Sequence, residues 1–472
     1  MGELKPLVLD VDGTFLRTDL TLESFWAALA RDPLATLGCL ARGLRDRTGL
    51  KAELGRIAQL RLDLLPVNPE VAELALKSQT AGREVIFASD ADAAMVAGLA
   101  GHYGMSERMF LSENGKARAG ALVHDLGKRG FDYAGSHKAD LAVWEQAENA
   151  LVLGDVAGAS RLAEQGRNVV QLGGGWPWRA LWKALRPHQW VKNILLLLPM
   201  IAAHRFDVAT LVPILFGIVA FSAAASSIYI INDLLDLEAD RLHPTKNRRP
   251  FASGAAPIRA GMLAFLVLVV MALGIAAALN AAFFGIVALY MLTSLAYSLK
   301  LKRMRWVDIA TLAALYTIRV VAGAAAGAVS VSVYMLIFIF PVFVALGCVK
   351  RLTELTLASS DERLPGRGYG RADRGDLLNV AGLGVFGALL IFFLYSISEQ
   401  GRELYPDTWL MWVALIPIGW WLVRMVMLGW FGKQDYDPIV FALRDKFGLG
   451  LLMIALSLMF WAAGLWAQWF GG

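Results

Sequence analysis

The chain is poor in cysteine and in charged residues for its length. Its 472 residues include two cysteines, and 18% of them are charged. Cys39 and Cys348 lie far apart in sequence, which excludes a disulfide framework and a cysteine-rich metal site. Charge is nearly absent from several long apolar runs in the second part of the chain. These runs exclude a wholly water-soluble protein and indicate membrane-spanning helices.

The start of the sequence shows no signal peptide, because Met1 to Lys5 leads directly into a short strand pattern. We therefore expect the N-terminal region to stay in the cytoplasm. The net charge of +5 does not indicate a nucleic-acid partner. Lys and Arg cluster in short loops between apolar segments, which is a signal of membrane topology.

The composition divides the chain into two regions joined by a short linker. About the first 175 residues are mixed and charged, whereas the remainder carries the apolar runs behind the mean hydropathy of +0.52. Three glycines at 173–175 indicate a flexible joint, and the tryptophan- and arginine-rich segment after them is typical of an interfacial helix. We predict an N-terminal domain at 1–172, a linker at 173–185 and a membrane domain at 186–472.

The N-terminal region alternates between strand and helix patterns. Pro6–Val11 and Val85–Ser89 are typical of buried strands, helical patterns fill Leu22–Leu65, and the alternation continues to about Val170. This order predicts βαβ units around a parallel sheet. Asp10 and Asp12 follow the first strand, at the edge where such sheets carry their chemistry.

The stretch DVDGT (10–14) resembles the first motif of the haloacid dehalogenase (HAD) superfamily of aspartyl-phosphate phosphohydrolases, over about residues 6–155. The resemblance implies a Rossmann-like α/β fold with a helical cap, and a magnesium-dependent phosphatase. It implies catalytic roles for Asp10 and Asp12. Ser89 or Phe87 stands at its phosphate-binding position, and Lys116 or Arg118 at its cation position.

The last HAD-like motif is only partly retained. The stretch GSHKADLAVW (135–144) keeps Asp140 but has Ser136 in place of an aspartate. By resemblance, Asp10, Asp12 and Asp140 would bind Mg²⁺. The alternative is a degenerate domain kept for folding or for partner binding.

Nine apolar segments follow, and the loops between them alternate in charge. The segments are 190–203, 208–231, 260–279, 281–298, 306–328, 332–348, 378–397, 409–429 and 447–470. Lys and Arg number five in 232–259, four in 299–305, six in 349–377 and three in 430–446, against at most one in each alternate loop. The positive-inside rule then predicts nine transmembrane helices with a cytoplasmic N terminus and an outer C terminus. We expect the membrane to be a bacterial-type inner (plasma) membrane.

An acidic and basic stretch, NDLLDLEADRLHPTKNRRP (232–250), follows the second apolar segment. On a helix Asn232, Asp233, Asp236 and Asp240 would fall within about a 100° arc, at roughly 100° per residue. Oxygen ligands on one face suit Mg²⁺, and the basic residues that follow suit the phosphates of a substrate. The alternative is a solvated helix end followed by a positive-inside loop.

Together with RPHQWVKN, YSLKLK, GCVKRLTEL and ALRDK, this stretch resembles the UbiA superfamily of intramembrane prenyltransferases, and more closely its decaprenyl-phosphate phosphoribosyltransferases. The resemblance covers about residues 183–470. It implies Mg²⁺-dependent transfer of 5-phosphoribose from phosphoribosyl pyrophosphate (PRPP) to a polyprenyl phosphate. Asn232, Asp233, Asp236 and Asp240 are assigned to the metal, with Asp236 and Asp240 as catalytic residues. The predicted substrate-binding residues are Lys192, Asn193, Arg241, Lys246, Arg249, Tyr297, Lys300, Arg319, Lys350, Arg351, Glu354, Arg444 and Asp445.

Two other functions stay open at this stage. In an aromatic polyprenyltransferase the same acidic arc would bind a prenyl diphosphate. Such enzymes usually have a second DxxxD-type pair, and here Asp308 is followed four residues later by Leu312. A non-catalytic membrane anchor would leave unexplained the acidic arc and the intramembrane Arg319, since a charge in the bilayer is costly.

Overall fold

A computed structural model describes residues 4–43, 47–112, 114–358, 363, 367–434 and 437–471. It divides the chain into two compact units. The first comprises Met1–Arg186 and Tyr229–Leu266, and the second comprises Pro187–Ile228 and Val267–Gly472. The acidic stretch therefore belongs to the same compact unit as the N-terminal region. The domain boundaries at 172/173 and 185/186 stay a prediction.

The first unit contains a six-stranded parallel sheet, as the alternating pattern predicted. Its strands are β1 (Leu7–Asp10), β2 (Val85–Ser89), β3 (Met109–Leu111), β4 (Asp132–Gly135), β5 (Asn149–Leu153) and β6 (Asn168–Leu172). They are ordered β3-β2-β1-β4-β5-β6. Because the order reverses at β1, the loops after β1, β2 and β4 meet at one edge of the sheet.

Both faces of the sheet are covered, so β1 and β2 are apolar up to their last residues, Asp10 and Ser89. Leu7, Leu9 and Phe87 enter one apolar core, and Val8 and Ile86 enter the other. Side chains alternate between the two faces because successive residues of a strand point in opposite directions.

Nine α-helices accompany the sheet in the described part of 1–186. The segment predicted as helical at Leu22–Leu65 forms α1–α3, which share a small core of their own around Cys39 and Leu54. The helices are α1 (Leu20–Arg31), α2 (Pro33–Gly43), α3 (Arg47–Ala58), α4 (Pro69–Thr80), α5 (Ala93–Tyr103), α6 (Gly115–Leu126), α7 (Leu141–Trp144), α8 (Ala159–Glu164) and α9 (Trp178–Ala184).

The remaining described chain is helical. After a 3₁₀ helix at Pro187–Leu197 come α10 (Leu198–Ala202), α11 (Val208–Leu235), α12 (Leu237–Leu242), α13 (Ile258–Leu279), α14 (Ala281–Leu299), α15 (Val307–Ala326), α16 (Val333–Leu357), α17 (Arg374–Ile397), α18 (Glu399–Leu404), α19 (Thr408–Trp430), α20 (Pro438–Ala442), α21 (Lys446–Ala462) and α22 (Leu465–Phe470). In the second unit, α15, α16, α17 and α19 contribute to one continuous apolar core.

Seven of these helices are long and apolar enough to span a membrane, counted over the described residues: α11, α13–α17 and α19. They confirm seven of the nine predicted segments and an integral membrane protein. The count of nine is not confirmed. The first predicted segment is an 11-residue 3₁₀ helix followed by a five-residue helix, and the last is split between the 17 residues of α21 and the six of α22.

Candidate functional site

Two loops at the carboxyl edge of the sheet, after β1 and after β4, bring together an aspartate cluster, which we define as Asp10, Asp12 and Asp140. Asp10 ends β1 and is buried. One of its carboxylate oxygens accepts a hydrogen bond from Arg118 at 3.0 Å, and the other accepts one from Thr14 at 3.1 Å. Of the two cations proposed from sequence, Arg118 is therefore the one that contacts Asp10. Such an oriented carboxylate can act as a nucleophile.

Asp12 lies in the same loop but has different partners. It accepts hydrogen bonds from the backbone N–H of Leu20 at 2.7 Å and from the Ser89 hydroxyl at 2.8 Å. Burial and the charges of Asp19 and Asp10 raise the pKa of Asp12 to about 7. A carboxyl group with this pKa can hold and transfer a proton near neutral pH.

Asp140 approaches Asp10 from the loop after β4. Its carboxylate accepts hydrogen bonds from the backbone N–H groups of Ser136 and His137 and from the Tyr133 hydroxyl. Burial and the charge of Asp10 raise the pKa of Asp140 to about 6.

Asp10, His137 and Asp140 each offer a ligand atom within 4.8 Å of the others, a spacing that suits a metal ion. The structure does not bring Asp12 into this group. His137 was missed from sequence, although it stands beside Ser136 in the motif. Its interaction with Asp10 raises the pKa of His137.

Gly13 allows the DVDGT loop to pass close to His137. Its φ of +75° lies in the left-handed region, and a Cβ there would stand 2.8 Å from Cε1 of His137. A side chain at this position would both strain the turn and displace the histidine.

The predicted acidic arc lies where α11 ends, still within the first unit. Asp233 and Asp240 are buried, and both accept hydrogen bonds from the same nitrogen of Arg249, at 3.0 and 2.6 Å. Arg186, which was not among the predicted site residues, also donates to Asp233. Burial raises the pKa of Asp240, and the charge of Arg249 opposes that shift. One cationic atom thus sits between two carboxylates.

The helix predicted through the arc is interrupted at Asp236, which lies between α11 and α12. The i to i+4 backbone hydrogen bonds continue, from Asp236 to Asn232 at 3.0 Å and from Asp240 to Asp236 at 2.7 Å. Asn232, Asp236 and Asp240 therefore keep nearly helical spacing.

The arc fits Mg²⁺ through two carboxylates. Mg²⁺ usually takes one or two carboxylates and fills its other positions with water and phosphate oxygens. Asp233 and Asp240 can provide such a pair, with Asn232 and Asp236 beside them. Within the described residues, three ligand atoms lie within 4.8 Å of one another at Asp10, His137 and Asp140, and not in the acidic arc.

Of the predicted phosphate-binding residues in this stretch, Arg241 has another partner. It forms a two-pronged ion pair with Glu23 of α1 at 2.5 and 3.1 Å, and both side chains are buried. It also donates to the carbonyl of Ala252 at 3.0 Å. These contacts fix Arg241 as a structural link between α1 and α12. Lys246, by contrast, is exposed.

In the second unit, Arg351 is also held by protein groups. Arg351 and Asp308 are fully buried and joined by two hydrogen bonds, at 2.6 and 3.1 Å. Glu354 and the Tyr297 hydroxyl complete the network around the guanidinium. Three predicted substrate-binding residues, Arg351, Glu354 and Tyr297, therefore lie together with Asp308. Their hydrogen bonds are made to one another, in a buried network.

Arg319 and Asn193 form a second buried polar group. Arg319 donates to the Asn193 side chain at 3.1 Å, to the carbonyl of Leu315 at 2.8 Å and to the hydroxyl of Tyr290 at 2.9 Å. Asn193 also donates to Ser222 at 2.9 Å. Neutral oxygens and two tyrosine rings surround this charge, and no carboxylate pairs with it among the residues described.

Lysines gather around Asp437. Lys192 forms an ion pair with Asp437, and Lys350 interacts electrostatically with both Asp437 and Glu354. Burial alone would raise the pKa of Asp437, but the two lysines outweigh it and lower that pKa. Asp437 was not among the predicted site residues.

Three other predicted residues lie elsewhere. Asp445 caps α21 and pairs with Arg424, whereas Arg444 and Lys300 are exposed.

Comparison with known proteins gives consistent results over the membrane region. A model of the UbiA prenyltransferase family matches residues 193–357. The uncharacterized protein y4nM from Sinorhizobium fredii is 32% identical over 93% of this chain and 88% of its own length. A decaprenyl-phosphate phosphoribosyltransferase from Mycobacterium tuberculosis is 34% identical over 58% of this chain and 90% of its own length.

Among solved structures, a UbiA homolog from Archaeoglobus fulgidus bound to GPP and Mg²⁺ matches at 15% identity with a TM-score of 0.44. The match covers 59% of this chain and 99% of that one.

Proposed function

Because the chain belongs to the UbiA prenyltransferase family of integral membrane enzymes, we propose that it transfers 5-phosphoribose from PRPP to a polyprenyl phosphate. Pyrophosphate is the leaving group, and the C1–O bond to it breaks as the lipid phosphate oxygen bonds to C1. The similarity to the Mycobacterium tuberculosis protein named decaprenyl-phosphate phosphoribosyltransferase, over 90% of its length, supports this donor and this acceptor.

The observation that carries the proposal is the group of two carboxylates and two arginines at the end of α11. Asp233 and Asp240 share Arg249, and Arg186 adds a second cation at Asp233. This set of charges can hold a metal-bound pyrophosphate, with the carboxylates on the cation and the arginines on phosphate oxygens.

Mg²⁺, when bound, supplies positive charge that stabilises the departing pyrophosphate. The residues of the chain would position the donor around it. Asp233 and Asp240 would bind the cation, and Arg249 and Arg186 would bind phosphate oxygens instead of the carboxylates. Lys246, which is exposed in the same loop, adds a further hydrogen-bond donor for the phosphates. The lipid phosphate is already anionic near neutral pH, so the reaction needs no strong base.

The second unit offers features that suit the lipid acceptor. Lys192 and Lys350 lie around Asp437 and can bind a phosphate. A cavity of 650 Å³, lined by apolar side chains including Leu198, Phe338 and Trp421, can accept part of a polyprenyl chain. We propose an inner-membrane location, with the N-terminal domain in the cytoplasm and the C terminus outside.

The alternative donor, a prenyl diphosphate used with an aromatic acceptor, is less well supported. The usual second acidic pair would have to bind metal, and Asp308 has no partner carboxylate at 312. Asp308 is also fully buried and bonded to Arg351. Arg351 is fully buried, whereas Arg186 and Arg249 at the acidic arc are about a quarter exposed, so a cation has less access to Asp308 than to the arc.

A donor assay separates the two functions. Purified full-length protein, given PRPP, polyprenyl phosphate and Mg²⁺, is expected to form a ribose-bearing lipid and to release pyrophosphate. It is expected to leave a prenyl diphosphate unused when 4-hydroxybenzoate is the acceptor. Prenylation of the aromatic acid, with PRPP untouched, would replace this proposal by the alternative.

We further propose that the N-terminal domain is HAD-like and removes the 5-phosphate from the lipid product. The contacts of Asp10 with Arg118 and Thr14, and the pKa of Asp12 near 7, support this activity. Asp10 would attack phosphorus while Asp12 protonates the departing ribose 5-oxygen. Water then hydrolyses the aspartyl phosphate and yields inorganic phosphate. Asp10, His137 and Asp140 would bind the Mg²⁺.

A further inference from the structure

A cavity of 780 Å³ lies beside the aspartate cluster, and its walls come from three distant parts of the sequence. Asp12, Ser136 and His137 line it on the side of the cluster. The glycine-rich stretch 173–177 forms another wall, and the stretch 254–259, which leads into α13, forms a third. All of these residues belong to the first unit.

The stretch 254–259 is built into the cavity wall by close contacts. Gly254 has a φ of +69°, and a Cβ there would stand 2.5 Å from the Cβ of Arg17. Only glycine permits this approach. Arg259 donates to Asp19 at 2.5 Å, and Asp19 in turn caps α1 through the N–H of Leu22.

The same wall leads directly into a membrane-spanning helix. Ile258 and Arg259 are the first two residues of α13, which is long and apolar enough to span a membrane. On the other wall, Trp176 leads into α9, where Trp178 is 67% exposed. Exposed tryptophans favour the interface between membrane and water. A ligand attached to a membrane lipid can therefore reach this cavity.

Two of the arginines that line the cavity have N–H groups available to bind an anion. Arg17 is exposed and forms no ion pair within the described residues. The side chain of Arg259 is 67% exposed and uses one nitrogen for Asp19. Guanidinium groups bind phosphate oxygens through paired N–H donors, so both suit a phosphate that is not the one under attack.

We propose that this cavity selects a lipid-linked sugar phosphate. The phosphomonoester would lie at Asp10, and Arg17 and Arg259 would bind the phosphodiester that joins the sugar to the lipid. The inference rests on the proposed phosphatase activity and names its substrate class. A free sugar phosphate has the first phosphate but not the second.

The test compares two substrates in the full-length protein. One is synthetic polyprenyl-phosphoryl-ribose 5-phosphate in detergent micelles, and the other is free ribose 5-phosphate. Arg17→Gln and Arg259→Gln are each expected to lower kcat/KM about tenfold for the lipid substrate, mainly through KM, because each removes a charged hydrogen bond. Neither is expected to change kcat/KM for free ribose 5-phosphate.

Arg31→Gln is the matched control. Arg31 makes an exposed ion pair with Glu238 at 3.3 Å, so it also joins α1 to the 229–266 segment, but it does not line the cavity. It is expected to leave both substrates unaffected. Equal losses on the two substrates, or no loss on the lipid substrate, would overturn the selection by Arg17 and Arg259 while leaving the phosphatase intact. Failure of the wild-type protein to hydrolyse either substrate would overturn both.

Discussion

Arginines that were both predicted from sequence to bind substrate differ in their exposure and in their partners. Arg249 lies between two carboxylates at the end of α11, with about a quarter of its side chain exposed, so a ligand can reach it. Arg351 is fully buried and surrounded by Asp308, Glu354 and Tyr297. The exposure of Arg249 agrees with the donor-binding role that we propose for it, whereas the burial of Arg351 favours a mainly structural role.

Breaking the Arg351 network should destabilise the membrane domain. Asp308→Asn leaves a buried guanidinium short of a counter-charge, which costs about 3–5 kcal/mol in comparable buried pairs. We expect a clear fall in the thermal unfolding midpoint in detergent, and a smaller fall when Arg351→Met is added. Asp376→Asn is the control, because the Arg305–Asp376 pair is exposed and should matter little. An Asp308→Asn protein as stable as wild type would contradict the structural role.

Among the elements, the stretch before α11 decides how many times the chain crosses the membrane. Arg186 and Leu235 belong to one compact unit, so we expect both on the same side. Between them, the 28 residues of α11 cross the membrane once. The chain must therefore cross it a second time between Arg186 and the start of α11. The 3₁₀ helix at Pro187–Leu197 has a length of about 22 Å, at roughly 2 Å per residue, and α10 extends it.

Cysteine labelling tests this crossing. The two native cysteines are buried, so a membrane-impermeant maleimide should react with an introduced cysteine. We expect Arg205→Cys and Gly471→Cys to be labelled from outside the cell. Arg303→Cys, in a predicted cytoplasmic loop, should react only after permeabilisation. Protection of Arg205→Cys would remove the crossing before α11, and protection of Gly471→Cys would place the C terminus inside.

Patterns that are local in sequence predicted the elements well, and partners that are distant in sequence were not predictable. Strand and helix alternation predicted the parallel sheet, and long apolar runs predicted seven spans. The pairing of Arg241 with Glu23 joins residues 218 positions apart, and no local sequence pattern indicates such a contact. The 3₁₀ helix was missed for a related reason, since its apolar residues match a short α-helical span equally well.

At the scale of the whole molecule, the acidic arc and the aspartate cluster belong to one compact unit. A product released by the transferase would therefore be formed in the neighbourhood of the proposed phosphatase on the same chain. Tethering two activities raises the effective concentration of the intermediate at the second one. The fusion then favours a sequence in which the sugar phosphate is first attached to the lipid and afterwards dephosphorylated.

One reaction with doubly labelled PRPP tests this sequence most directly. The ribose ring and the 5-phosphate carry different radioactive labels, and the full-length protein receives polyprenyl phosphate and Mg²⁺. The wild-type protein should yield a lipid that carries the ribose label, with the 5-phosphate label released as inorganic phosphate. Asp10→Asn should yield a lipid that carries both labels. A lipid fraction without any ribose label would contradict the account.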